Sequence, residues 1–268
     1  MSLSPDDQVA LRRAIRELET SSLAMRLTSV IGRQIGMVGV IVPTQVSAAI
    51  TKTAEAAIKS AMRMALRSLA GKPVRDRRRL HKSVAVFAGA AGGAFGFAAL
   101  PIELPFTTTI MLRSIADIAQ GEGEDLSRPD AALACLEVFA LGGATNAAGA
   151  VRTGDFLETG YFAVRGLLAK SVSEAARYLF DRGLAEEAAP IMVRLIAQIS
   201  SRFGLVVSQK LAAQSIPVIG GACGAAINYA FVDHFQTLAR GHFTVRRLER
   251  FYGVAVVRAE YDRLAAQA

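Results

Sequence analysis

Apolar residues recur along this chain at the three- and four-residue spacing of amphipathic helices. We predict a first helix from Pro5, where a serine cap and two acidic residues mark the first turn, to about Met25. A second helix is predicted from Thr44 to about Ala70, followed by Gly71 as a typical C-cap. Further helices are predicted from near Phe106 to residue 120, from near Pro129, over 160–182, 186–202 and 204–214, and as two short C-terminal helices separated by Gly253.

No set of alternating strands and no low-complexity linker divides the chain. The pattern therefore predicts an all-α fold, a single-domain helical bundle whose glycine-rich central helices form a buried, hairpin-like core. We expect an N-terminal helical region over 1–71 and a helical core over 72–268, within one continuous domain. Residues 142–160, rich in Gly, Ala and Asn, are predicted to form a loop.

Two apolar stretches carry small residues at four-residue spacing beside a proline. The first lies between Lys82 and Glu103, where no side chain is charged, and it is long enough to cross a bilayer. The second covers 215–235. Each glycine inside a helix costs about 0.5–1 kcal/mol relative to alanine, so close packing against a neighbouring helix must offset it.

The same two stretches also contain features that lipid-facing helices avoid. Pro101 and Pro105 flank Glu103 at the end of the first, and Pro217 and Asn228 interrupt the second. We therefore favour a buried helical hairpin in a soluble or peripheral protein. Reversible or re-entrant insertion into a bilayer and a true membrane span are the alternatives.

The overall composition lies at the apolar edge of soluble proteins, with 52% hydrophobic residues and a mean hydropathy of +0.33. Tryptophan is absent and only five tyrosines are present, so the chain lacks the material for an aromatic belt at a membrane interface. The formal net charge of +8 favours anionic partners. The start of the chain shows no secretory signal, and the two cysteines read as small core residues, so we expect a cytoplasmic location, peripheral at the inner membrane face.

The densest charge run, KPVRDRRRLHK, is the predicted contact with anionic headgroups. An exposed, solvated first turn of the following helix explains the same run without a ligand. The basic side chains of this predicted contact are Arg75, Arg77, Arg78, Arg79 and Lys82.

Several polar residues inside apolar segments form the predicted ligand or structural polar site. Arg113 and Asp117 are four residues apart and are predicted to pair on one face of the helix that follows Glu103. Asn228 lies in an apolar helix, where its amide must find partners, and Asp233 follows five residues later. We assign no catalytic residue, because a structural role explains these groups equally well.

Other chemistries lack support in the sequence. His234 and His242 are eight residues apart and HExxH spacing is absent, so we expect no metal site. No P-loop and no dinucleotide fingerprint is present, and we expect no cofactor. Nucleic-acid binding is not expected either, because Phe243, Arg247 and Phe251 align on one helix face, where the aromatic rings would pack inward.

Two long segments resemble a known family. LPIELPFTTTIMLRSIADIAQGEGEDLSRPDAALACLEVFALGG is similar to the central signature of the EcsC family, and SIPVIGGACGAAINYAFVDHFQTLARGHFTVRRLERFYG is similar to its C-terminal signature. Together they cover most of residues 80–262. The acid–proline motif associated with Asp has Glu103 here, which keeps the charge and lengthens the side chain. The resemblance implies a bacterial protein associated with an ABC-transporter locus, with membrane-linked biology and no settled activity.

These observations predict a non-enzymatic, membrane-associated protein that binds an anionic phospholipid membrane, a hydrophobic ligand or a membrane protein. One alternative is a hydrolase acting on a lipid or peptide, with Glu103, Asp117 and Asp233 converging in a cleft. The other is a basic adaptor that binds a protein partner.

Overall fold

The structure, a computed structural model, describes residues 3–19, 23, 26–27, 44–68, 100–142, 151–153, 156–158, 160–182, 189–214 and 221–267. These residues form an all-α bundle with one short hairpin, which confirms the predicted fold class. The helices are α1 (Pro5–Glu19), α2 (Thr44–Ser68), α3 (Leu100–Gly121), α4 (Pro129–Leu141), α5 (Tyr161–Arg182), α6 (Pro190–Gln214), α7 (Gly221–Tyr252) and α8 (Val254–Ala265), and the antiparallel strands are β1 (Val151–Thr153) and β2 (Phe156–Glu158).

Three predicted boundaries were wrong. α3 begins at Leu100 and continues through Pro105, because a proline near a helix start sacrifices few backbone hydrogen bonds. The segments 186–202 and 204–214 form the single helix α6, in which Gly204 is an interior residue. Residues 142–160, predicted as a loop, include the hairpin. The break at Gly253 is confirmed, and its φ of 89° explains why glycine stands there.

α4 is the central element of the bundle. Its residues from Ala131 to Leu141 are all buried, as expected for a helix that is apolar on every face. α2, α3, α5, α6 and α7 all contact it. At its C-terminal end Phe139 meets Phe203 of α6 and Phe235 of α7, with ring centroids 5.2 and 5.4 Å away. These edge-on and tilted aromatic contacts join the three helices.

α1 closes one side of the bundle against α7 and α8. The approach to α7 is close at Gly241, where an added Cβ would lie 2.7 Å from Leu18 Cγ and 3.1 Å from the Ala14 carbonyl oxygen. The predicted glycine-rich hairpin falls mainly on residues 82–99 and 215–220, which lie outside the described residues, and it stays a prediction.

Substitution of Gly241 by alanine tests this close contact. We expect Gly241→Ala to lower the free energy of unfolding by about 1–3 kcal/mol, because the new methyl group overlaps Leu18 and the α1 backbone. Gly204→Ala is the matched control, since nothing lies within 4 Å of its Cβ position and both glycines are interior helix residues. The control should be neutral or up to about 1 kcal/mol more stable. Denaturant unfolding measures both, and equal effects would contradict the contact.

Candidate functional site

A buried ion pair joins α3 to α6. The Lys210 Nζ donates to Glu103 Oε1 at 2.6 Å, and the two side chains are 1% and 7% exposed. The ammonium also lies 5.1 Å from the centroid of the Phe231 ring on α7. Burial lowers the pKa of Lys210, and the neighbouring Glu103 carboxylate opposes that shift. Glu103, a residue predicted from the sequence, therefore lies at the junction of three helices.

At this junction polar side chains are buried while some large apolar side chains of the same helices are exposed. Thr107 and Asn228 are buried on the same helices as Glu103 and Phe231, whereas large apolar side chains of α3, α6 and α7 are exposed. The exposed ones are Phe106 at 49%, Leu205 at 58% and Tyr229 at 45%. We call the following set the inverted end: Glu103, Phe106, Thr107, Leu205, Lys210, Asn228 and Tyr229.

The predicted pairing of Arg113 with Asp117 is wrong. Arg113 is exposed and Asp117 is buried, and no ion pair joins these two side chains to each other among the described residues. Four-residue spacing brings two side chains to neighbouring positions on a helix, but only tertiary packing decides which of them is buried.

Asp233, which the sequence grouped with Asn228, lies in a different contact. Its carboxylate pairs with Arg26, whose second guanidinium nitrogen donates to the Thr237 hydroxyl at 3.1 Å. This contact ties α7 to the segment that follows α1.

The three carboxylates of the hydrolase hypothesis do not converge. Glu103 and Asp117 are fourteen residues apart on one continuous helix, which places their Cα atoms about 21 Å apart. Their side chains are too short to bridge that distance. The Glu103 carboxylate also forms an ion pair with Lys210, and the Asp233 carboxylate forms one with Arg26. The predicted acid–base cleft is therefore absent from the described structure.

A second buried polar cluster lies where α4, α5 and α7 meet. The Tyr161 Oη and the His242 Nδ1 are 2.9 Å apart, and the His242 Nε2 lies 3.9 Å from Glu137 Oε2. All three residues are buried. Burial raises the pKa of Glu137 to about 7, and burial lowers the pKa of His242 well below its ordinary value. We call Glu137, Tyr161 and His242 the glutamate–histidine cluster.

Two arginines flank this cluster, and each binds another glutamate through two nitrogens. Arg165 donates to both oxygens of Glu249, at 2.8 and 3.0 Å. Arg246 donates to both oxygens of Glu124, at 2.7 and 3.2 Å. Such forked pairs are geometrically specific, and here they hold α5 and the α3–α4 loop against α7.

Sequence reasoning missed both Lys210 and the glutamate–histidine cluster. Lys210 follows a serine and a glutamine and looks like an ordinary surface lysine. Glu137 could have been predicted as a buried carboxyl group, because it is the one acidic residue within the apolar run ALACLEVFAL. His242 was considered only as a metal ligand, and among the described residues no group of three or more His, Cys, Asp or Glu side chains is placed to hold a metal ion.

The remaining predicted features have mixed outcomes. The basic contact over 72–82, with Arg75, Arg77, Arg78, Arg79 and Lys82, lies outside the described residues. Phe243 is buried as predicted, but Phe251, predicted to pack beside it, is exposed.

Among the described helices, Pro190–Ala213 alone has the length and composition of a membrane span, with a mean hydropathy of 1.4 and half of it buried. A buried core helix meets the same criteria.

Comparison with known proteins gives one match. The model of the EcsC protein family matches residues 13–248 of the 268. This range includes both polar clusters and parts of both predicted regions, 1–71 and 72–268. No curated protein and no solved structure matches the chain.

Removal of one partner of the Lys210–Glu103 pair tests its role in stability. We expect Lys210→Met to lower the free energy of unfolding by about 3–5 kcal/mol, because it leaves a buried carboxylate without its cation. The double variant Lys210→Met/Glu103→Met should recover most of that loss, since no charge then remains in the junction. Urea denaturation of the single and double variants measures this coupling. Additive losses would show that the two groups act independently.

Proposed function

The chain belongs to the EcsC protein family, and we propose that it acts as a non-enzymatic, membrane-associated helical protein. It binds lipid or a hydrophobic partner, such as a membrane protein, from the cytoplasmic face of the membrane. The observation that carries this proposal is the inverted end, where polar side chains point into the bundle and apolar ones point outward.

The charges of α6 illustrate this inversion. Lys210 is buried against Glu103, and the Arg202 Nε donates to the Ala140 carbonyl oxygen of α4 at 3.0 Å. The outer face of the helix presents Val193 and Leu205 beside Arg194, the third charged residue of the helix, which is exposed. In water this arrangement is unfavourable, because cations lose hydration while apolar side chains remain exposed.

Contact with an apolar phase removes that penalty. Polar residues within a membrane face the bundle interior and pair with one another, and apolar residues face the lipid. The Lys210–Glu103 pair and the exposed Phe106, Leu205 and Tyr229 follow this rule. The inverted end also adjoins, along the chain, the two glycine-rich stretches, whose spacing suits close contact with another helix.

The other two functions have less support. The hydrolase hypothesis loses its geometric basis, since Glu103 and Asp117 are about 21 Å apart along α3. The adaptor hypothesis predicts tight binding to a protein partner with no lipid dependence, which the vesicle experiments below distinguish from lipid binding.

Vesicle flotation tests the inverted end. We expect wild type to float with vesicles and Phe106→Glu/Leu205→Glu to lose at least about tenfold in bound fraction, because two carboxylates at apolar contacts oppose burial. Gln120→Glu/Ala259→Glu is the matched control, since it adds the same charge at exposed sites and should float like wild type. Equal flotation of both double variants would contradict the proposal. Circular dichroism checks that each variant is folded.

A second experiment tests the headgroup contact predicted for 72–82. We expect Arg75→Glu/Arg77→Glu/Arg78→Glu/Arg79→Glu to reduce flotation with phosphatidylserine vesicles, because each basic residue near an anionic surface contributes about 1 kcal/mol. Flotation with neutral phosphatidylcholine vesicles should change little. Unchanged binding to the anionic vesicles would remove this segment from the proposal.

A further inference from the structure

The glutamate–histidine cluster has no part in the proposed membrane contact, and its geometry is unusual for a purely structural group. Glu137 lies within the buried run of α4 from Ala131 to Leu141. The His242 Nε2 is buried, lies 3.9 Å from Glu137 Oε2 and has no hydrogen-bond partner within the described residues. The other ring nitrogen already meets the Tyr161 hydroxyl at 2.9 Å. One nitrogen of the ring thus faces the carboxyl group unsatisfied.

We propose that Glu137 and His242 form a proton-binding site in the core, and that release of its proton changes the partners of Arg165 and Arg246. The site lies between helices whose relative positions are fixed by those two arginines. Proton release would therefore alter the contact of α7 with α5 and with the α3–α4 loop.

The charged groups nearest the site come from α5, α7 and the α3–α4 loop. α5 contributes Tyr161 and Arg165, α7 contributes His242, Arg246 and Glu249, and the α3–α4 loop contributes Glu124. α6 contributes Arg202, which donates to the Ala140 carbonyl oxygen. The buried ionisable groups of α3 are Glu103, bonded to Lys210, and Asp117. The described buried face of α2 holds only Ile50, Ala54, Ala57, Ile58, Ala61, Met62 and Ala65.

In the protonated state Glu137 is neutral, and each arginine keeps its own glutamate. Arg165 then holds Glu249, and Arg246 holds Glu124. When the proton leaves, Glu137 becomes a buried anion that attracts both guanidinium groups. It then competes with Glu249 for Arg165 and with Glu124 for Arg246. The forked pairs that hold the C-terminal half of α7 weaken as a result.

The pKa directions agree with this arrangement. Burial raises the pKa of Glu137 from its ordinary 4.5 to about 7, so its contribution to stability is complete below pH 4.5 and is lost between pH 4.5 and 7. Burial lowers the pKa of His242 from its ordinary 6.5. The contribution of His242 to the free energy of unfolding therefore increases as pH rises toward 6.5 and is complete above it. Between pH 4.5 and 6.5 the two effects oppose each other. His234, whose pKa burial lowers to about 4, adds a gain in stability over the same range, so the folding equilibrium constant of wild type should rise there by up to about tenfold per pH unit.

Infrared spectroscopy of the full chain detects the proton directly. Between pH 5 and 9 we expect a carbonyl band from a protonated carboxyl group that disappears with a midpoint near pH 7. Glu137→Gln should lack this band, and Asp181→Asn, exposed on α5, should retain it with the same midpoint. Absence of the band in wild type, or its persistence in Glu137→Gln, would overturn the proposal.

A second variant tests the arginine exchange. Glu249→Gln removes the anion that competes for Arg165, so the midpoint of the Glu137 band should fall by about one pH unit or more. A purely structural role for Glu249 would leave the midpoint unchanged and would overturn this part of the proposal.

Stability against pH gives an independent measurement if the infrared band is weak. Glu137→Gln retains the effects of His242 and His234, so between pH 5 and 6.5 its folding equilibrium constant should rise more steeply than that of wild type, by up to about tenfold more per pH unit. Parallel curves for the two proteins would contradict the shared site.

Discussion

The packing of α3, α6 and α7 depends on the burial of the Lys210 ammonium beside the Glu103 carboxylate. Neither charge can lie in the core alone, because the desolvation free energy of an unpaired ion exceeds the stabilisation gained by packing around it. α6 must therefore turn Lys210 toward α3, and this orientation leaves Leu205 facing outward. The buried ion pair beside the exposed side chains of Phe106, Leu205 and Tyr229 is the feature on which the proposed membrane contact rests.

α7 contributes residues to both polar clusters, one toward each end of the helix. Asn228 and Phe231 of α7 belong to the neighbourhood of Lys210, while His242 and Arg246 belong to the glutamate–histidine cluster. Fourteen residues separate Asn228 from His242, which is about 21 Å along a helix. α7 is therefore one continuous helix that connects the inverted end to the glutamate–histidine cluster. A change in the forked arginine pairs near the C-terminal end of α7 would therefore act on the same helix that carries Asn228 and Phe231.

Much of the fold was accessible from pattern alone. The helix starts at Pro5, Thr44 and Pro129 and the break at Gly253 agree with the structure, because capping residues and backbone geometry act locally. Gly204 and Pro105 misled the prediction, since each opposes a helix by an amount that tertiary packing readily offsets. For the candidate site, Glu103 and Asn228 were found as polar residues in apolar segments. Lys210 was not, because its partner Glu103 is 107 residues away in the sequence.

The sequence by itself determined the all-α class, most helix positions and the family, since these depend on local spacing and on long signature segments. Tertiary structure alone decided which polar residues meet. It buried Asp117 and exposed Arg113 on one helix, paired Glu103 with Lys210, and brought Glu137, Tyr161 and His242 together from three helices. Such pairings depend on how helices rotate about their axes as they pack. That rotation is set by the whole core, and no single segment contains it.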